Sequence, residues 1–199
     1  MLRSAATVAF CLFLTLPASA VTVVRLSFEE LVNRSAAVAL ARVIEVRGEF
    51  IGAGRGIESI VTVSVLKGFK GDAGETMQFT VPGGRAGRYL NVIPGAPTFT
   101  AGDVAVIFLT SRGARLPVMT GLTQGVYRVQ RAGSEMMVMP PLIDSGNTRV
   151  VRGDVQRKPV SLSTFEASVR VIVNASASAP AALRRDKSAS APALRRIDR

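Results

Sequence analysis

The sequence predicts a mainly β domain, a small barrel or sandwich with a short N-terminal helix and a C-terminal helix, followed by a disordered tail. Three observations carry this. Short alternating or fully apolar runs recur at close spacing from Val38 to Met139, most of them separated by Gly-containing turns. Helical capping signatures occur only at the two flanks of that region. After Asn174 the chain loses its core-forming residues.

The flanks bound the domain. Residues 1–20 carry one basic residue (Arg3), an apolar run from Ala5 to Leu16, a helix-breaking Pro17, and small residues at Ala18 and Ala20. This is the pattern of a secretory signal peptide, with cleavage expected between Ala20 and Val21. The run is too short for a membrane span, which needs about 20 apolar residues, so no transmembrane segment is expected after cleavage. The predicted localisation is secreted or periplasmic. The division that follows is 1–20 signal peptide, 21–140 β-barrel domain, 141–173 loop plus C-terminal helix packing on it, and 174–199 tail. In that tail Ser176 to Asp186 (SASAPAALRRD) recurs nearly unchanged as Ser188 to Asp198 (SASAPALRRID). Such a composition cannot bury enough surface to offset ordering entropy.

Each element has a local reason. Ser27-Phe28-Glu29-Glu30 is a capping box, and Phe28, Leu31, Val32 and Ala36 follow at helical spacing, predicting a helix from Phe28 to about Ala36. Val38 to Phe50 begins apolar and then alternates, with Val43, Glu45, Arg47 and Glu49 set against Ile44, Val46 and Phe50. It reads as one long strand, buried at one end and half exposed at the other. Gly48 inside it predicts a bulge or a bend. A turn at Gly52–Gly56 leads to a second strand, Ile57 to Leu66, and these two runs form a hairpin. Lys67 to Asp72 reads as a turn and Glu75 to Val81 as a third strand with Met77, Phe79 and Val81 on one side.

A loop dense in Gly and Pro then runs to Asp103–Thr110, a fully buried strand. Leu116–Met119 and Gly125–Gln130 are a further pair of short runs around Gly121–Gly125, and Glu135–Met139 is the last strand. Asp144 to Pro159 is polar and irregular. Ser163-Thr164-Phe165-Glu166 is a second capping box, predicting a helix to about Val173 with Phe165, Val169 and Ile172 on one face.

Several chemistries are missing. The chain has no His, and its one cysteine, Cys11, leaves with the leader. The mature chain therefore has no disulfide, no Ser-His-Asp triad, no thiolate nucleophile and no His or Cys metal ligand. The acids are scattered: Glu29 and Glu30 start a helix, while Glu45 and Glu49 flank Arg47 on a solvated strand face. The expectation is a protein that is not an enzyme, with no cofactor and no metal. Met136, Met137 and Met139 read as core filler rather than ligands.

The formal net charge is +11, which draws an exported protein toward anionic envelope components by salt-sensitive attraction. Nearly all the basic residues are arginine, a bias that a GC-rich genome also produces, so the charge assigns no partner and implies no specific nucleic-acid recognition. Pro82-Gly83-Gly84-Arg85-Ala86-Gly87-Arg88 has the look of a phosphate loop but lacks the GxxxxGK[ST] order, and a strand follows it where a helix is needed. It reads as a wide turn whose glycines take positive φ, presenting Arg85, Arg88 and Tyr89 at its tip. These three are the candidate partner-binding residues. Arg152-Gly153-Asp154, and the acceptor triplets at Asn33 and Asn174, are too short to carry weight.

Taken in order, Phe28–Val32 with Ser35–Val43, Val65-Leu66-Lys67-Gly68, Pro82-Gly83-Gly84, Pro94–Phe99, Gly102-Asp103, Phe108-Leu109 and Gly121–Gly125 resemble a pattern of exported bacterial proteins of unassigned function, over about residues 27–130. The layout is similar to the OB-like barrel of netrin and tissue-inhibitor-of-metalloprotease domains. That resemblance implies an OB-like fold and, as an alternative function, a secreted metalloprotease inhibitor or protease-associated protein. True inhibitors of that type present an N-terminal cysteine to the zinc, whereas the expected mature start here is Val21, so their mechanism does not carry over. The leading expectation is an exported non-enzymatic β-domain that binds a protein or envelope partner. A third is attachment to anionic polymer through the basic tail.

Overall fold

A computed structural model of the chain describes residues 25–52, 54, 56–144, 150–152 and 158–178. The expected leader with its Ala20–Val21 junction, Gly153 and Asp154 of the tripeptide, and the repeats from residue 179 onward lie outside the described residues. The fold is mainly β, as expected, with a helix at each flank.

Helix α1 (Phe28–Arg34) starts as its capping box dictates. Ser27 Oγ accepts from the Glu30 amide at 3.1 Å, and the Glu30 carboxylate accepts from the Ser27 amide at 2.9 Å. It stops two residues before the expected end at Ala36. Ser35 turns extended, its hydroxyl donates to the Leu31 carbonyl (2.7 Å), and the Ala36 amide already pairs with Leu109 O. Strand pairing takes over where the helix would have continued.

Strands β1 (Ala37–Ile51) and β2 (Gly56–Lys70) form the long hairpin. β2 continues through the expected turn at Lys67, because Lys67, Gly68 and Lys70 still have partners in Leu40, Ala39 and Val38. The turn comes instead at Gly71, where φ is +73°. β1 is irregular at Ile44 rather than at Gly48: Val43 pairs with Val63 and Glu45 with Thr62, leaving Ile44 as the extra residue of a bulge. The bulge changes which residues share a face. Val43 goes inward with the core, and Val46 and Gly48 line the same cavity wall, while Glu45, Arg47 and Glu49 stay exposed.

β3 (Thr76–Pro82) follows β2. Two short strands, β4 (Gly84–Ala86) and β5 (Tyr89–Asn91), precede β6 (Val104–Arg112) and β7 (Arg115–Met119). A 3-10 turn at Leu122–Gly125 leads into β8 (Val126–Ala132) and β9 (Glu135–Met139). The two short runs expected on either side of Gly121–Gly125 form as β7 and β8, and each pairs with β6. β7 and β8 lie end to end along one edge of β6, β7 at Leu109–Arg112 and β8 at Ala105–Ile107, while β1 pairs with the other edge. The turn loops out between them and returns the chain to the same edge, with Thr120 N donating to Phe108 O and Gly121 at a left-handed φ of 66°.

The order β1-β2-β3-β7-β6 closes on itself through an antiparallel β1–β6 ladder and a parallel β3–β7 contact at Thr80 and Val118. Of barrel and sandwich, the strands form the closed ring. β8 and β9 extend the sheet outward to β12 (Val160–Ser161), and β10 (Leu142–Asp144) pairs with β11 (Val150–Arg152), which falls inside the Asp144–Pro159 stretch expected to be irregular.

β6 is buried on both faces, which explains its unbroken apolar run. Ala105, Ile107 and Leu109 enter the ring core with Val43, Val61, Val63, Phe79 and Val81. Val106 and Phe108 enter a second core with Phe28, Leu31, Tyr127 and Phe165 beneath the helices.

Helix α2 (Leu162–Ser178) begins earlier and ends later than the capping box suggested. Ser161 Oγ, not Ser163, accepts from the Thr164 amide (3.2 Å), and Glu166 is engaged by Lys67 (2.7 Å) and Arg170 (2.8 Å). Its last turns run into the expected tail because they dock on α1, where Ser176 Oγ donates to Asn33 Oδ1 at 2.6 Å. Phe165 and Val169 are buried as expected.

Candidate binding surface

The Gly-rich segment after Pro82 is more ordered than a wide turn. β4 and β5 pair as a small hairpin, Gly84 with Asn91, Arg85 with Leu90 and Ala86 with Tyr89, with Gly87 at φ +58° in the turn. This hairpin lies across the distal half of the β1–β2 hairpin. Two glycines make the close approach possible. A Cβ on Gly48 would sit 2.0 Å from the Arg85 carbonyl oxygen, and one on Gly84 (φ +124°) would sit 1.9 Å from Ser59 Oγ. Gly48 is thus in the strand so that another backbone can cross it, and not to bulge. Two hydrogen bonds complete the anchorage: Ser59 Oγ donates to Gly83 O at 2.8 Å, and Gly83 N donates to Ile57 O at 2.9 Å.

On this fixed backbone stand the three residues singled out from the sequence. Arg85 and Arg88 are exposed, and Tyr89 is 52% exposed. Arg88 donates to the Tyr89 hydroxyl (3.0 Å), with its guanidinium 5.1 Å from the ring centroid. Sequence reasoning missed their apolar neighbours. Phe50 meets Tyr89 edge-to-face at 5.8 Å while remaining 53% exposed, and Leu90 and Val92 are 61% and 74% exposed. Behind them lies a cavity of about 290 Å³, walled by Val46, Val61, Val81, Ile93, Pro97 and Phe99 among others.

The far side of that cavity is the segment Ile93–Asp103, held by a residue the sequence did not single out. Arg128 on β8 pairs with Asp103 (2.6 Å), donates to the Thr98 carbonyl, and stacks 5.2 Å over Phe99. Phe99 in turn meets the buried Phe79 edge-to-face at 5.5 Å. Thr123 Oγ1 and N both donate to Gly95 O. Arg128 is the third residue of an alternating strand, where any polar residue reads as solvent-facing; only the contacts reveal its work.

Titration is perturbed away from this surface. Burial lowers the pKa of Lys70, whose ammonium donates to Val32 O (2.7 Å) and Asn33 O at the end of α1. The hydrogen bond from Lys67 holds the Glu166 carboxyl below its ordinary value, helped by the charges of Lys67 and Arg170 and opposed by partial desolvation. Among the described residues there is no group of three or more His, Cys, Asp or Glu arranged to hold a metal ion, and no helix long and apolar enough to cross a membrane. Comparison with protein-family models, with curated proteins and with solved structures returns no match for this chain.

Proposed function

We propose that this protein is an exported, non-enzymatic β-domain that binds a partner protein through the surface where the β4–β5 hairpin crosses the β1–β2 hairpin. The observation that carries the reading is the exposed Phe50–Tyr89 ring pair, with the exposed Leu90 and Val92 lining the cavity, on a backbone fixed by the Gly48–Arg85 and Ser59–Gly83 contacts. A contiguous apolar patch on a soluble domain, rimmed by charge, is the usual form of a protein-binding surface. Aromatic and Arg anchors on a pre-set backbone bind without a large ordering cost. Arg85 and Arg88 add attraction for an acidic rim on the partner. Export rests on the pattern of residues 1–20. The closed ring with one parallel contact supports the OB-like reading of the layout, a fold whose exposed faces and loops commonly serve as binding platforms.

The test is a triple variant, Arg88→Ala, Tyr89→Ala and Leu90→Ser, compared with the parent by cross-linking in extracts of the native envelope and identification of the products. All three side chains are exposed, so thermal stability should change little. Loss of one specific cross-linked protein supports the reading. Identical products from both forms overturn it.

A further inference from the structure

Among the described residues, β1 has two neighbouring strands over its first part and one over the rest. Against β6 it pairs from Ala37 (with Leu109) to Arg42 (with Val104). Val43 is still held on that side, its amide by Asp103 O at 2.8 Å and its carbonyl by Gly102 N at 2.9 Å. From Ile44 to Ile51 the strand partner among the described residues is β2 alone. A strand paired on one side turns the N–H and C=O of every second residue outward. Val43 is such a residue, and counting through the bulge at Ile44 makes Val46, Gly48 and Phe50 the next ones. This row is a template for another strand. It is not shortened, and no proline interrupts it.

Side chains along the row define what would fit. Glu45, Arg47 and Glu49 are exposed on one face, with Arg47 and Glu49 2.9 Å apart. Val46 lines the cavity on the other, and Phe50 leads on to Tyr89. We propose that the β1 edge from Val46 to Phe50 accepts an extended segment of a partner protein as an added strand. Its charges would alternate Lys-x-Glu-x-Lys opposite Glu45, Arg47 and Glu49, and its intervening apolar residues would face Val46, Phe50 and Tyr89. The proposal rests on the binding reading above and names the mode of recognition. A second copy of this chain fits less well. In an antiparallel two-fold pairing centred on Gly48, both β4 strands would lie on the same face over the same point and collide.

The probe is a labelled, end-blocked peptide containing Val-Lys-Val-Glu-Val-Lys-Val, titrated by fluorescence anisotropy at low salt. Val46→Pro removes one outward N–H, and proline is tolerated on an edge with that N–H facing solvent. Far-UV circular dichroism confirms that the variant is folded. Binding should weaken about tenfold in Val46→Pro, the scale of one or two hydrogen bonds. Arg47→Glu should prefer a peptide with Lys at the central charged position over the original by about threefold. Amide exchange of Val46, Gly48 and Phe50 should slow when peptide is bound. No binding to the parent, equal binding to Val46→Pro, or unchanged exchange at these three amides overturns strand addition. So does a dimer in sedimentation that Val46→Pro abolishes, which assigns the edge to a second copy. If Val46→Pro keeps the cross-linked partner while the Arg88/Tyr89/Leu90 variant loses it, strand addition fails and the surface reading stands. If both keep it, the surface reading fails as well.

Discussion

The two halves of β1 experience opposite environments within one strand. From Val38 to Ala41 every side chain is buried, and the backbone is paired on both edges. From Ile44 to Ile51 every residue but Gly48 is exposed, Val46 least of the apolar ones at 38%, one edge is open among the described residues, and the cover is a three-residue strand lying across it. The closed half is held by burial and the open half by backbone fit at two glycines. That difference separates what keeps the molecule folded from what it presents outward.

Removing the ring of Phe108 should break the closed half. It is fully buried and touches Phe28, Tyr127 and Phe165, so Phe108→Ala should cost about 3–5 kcal/mol in urea unfolding. Gly48→Ala should attack the fit of the open half. The new Cβ forces Arg85 away, costing about 1–3 kcal/mol, and amide shifts should concentrate in Gly84–Asn91 while Val106–Leu109 stay in place. Arg128→Met keeps much of the stem but drops the Asp103 and Thr98 contacts. A loss of about 1 kcal/mol, together with faster amide exchange at Thr100, would show that the wall of the cavity depends on it.

Glu166→Gln separates the halves by pH. The carboxyl is held below its ordinary value, so its contribution is present above the unfolded value near 4.5 and is lost as pH falls through the lower folded value. The melting difference between parent and variant should therefore be seen at pH 7 and vanish in strong acid. The smallest effect belongs to the open half: Phe50→Ser should change stability by less than about 0.5 kcal/mol. A larger loss would mean that the Phe50–Tyr89 contact is part of the core after all.

How much of this was legible in the sequence follows the range of the forces involved. The capping box at Ser27, the long hairpin and the doubly buried β6 are local or compositional, and all three were readable. The bulge at Ile44 was not, because it reverses the alternation that is used to assign faces. β7 and β8 were readable as two short runs around the Gly121–Gly125 turn; their sharing of one edge of β6 was not, since it depends on β1 taking the other edge. At the candidate site, Arg85, Arg88 and Tyr89 stood out through the Gly-rich setting. Phe50 and Arg128 did not, since each becomes significant only when a remote segment is laid against it. Gly48 was noticed for the wrong reason: glycine in a strand signals either a bulge or a crossing backbone, and sequence alone does not distinguish them.

The ring has a consequence in time as well as in space. β1 and β2 are adjacent in the chain and can pair as soon as both exist, whereas the β1–β6 ladder and the Leu26–Gln124 hydrogen bond, which joins residues 98 positions apart, must wait for most of the domain to be made. Topologies dominated by such distant pairings fold slowly, in about milliseconds to seconds. Throughout that interval the edge of β1 away from β2 is open along its length, including the apolar half that β6 later covers. Any factor that keeps the nascent chain extended until Met119 and Val126 are available would therefore protect against strand-to-strand aggregation at the site of ring closure.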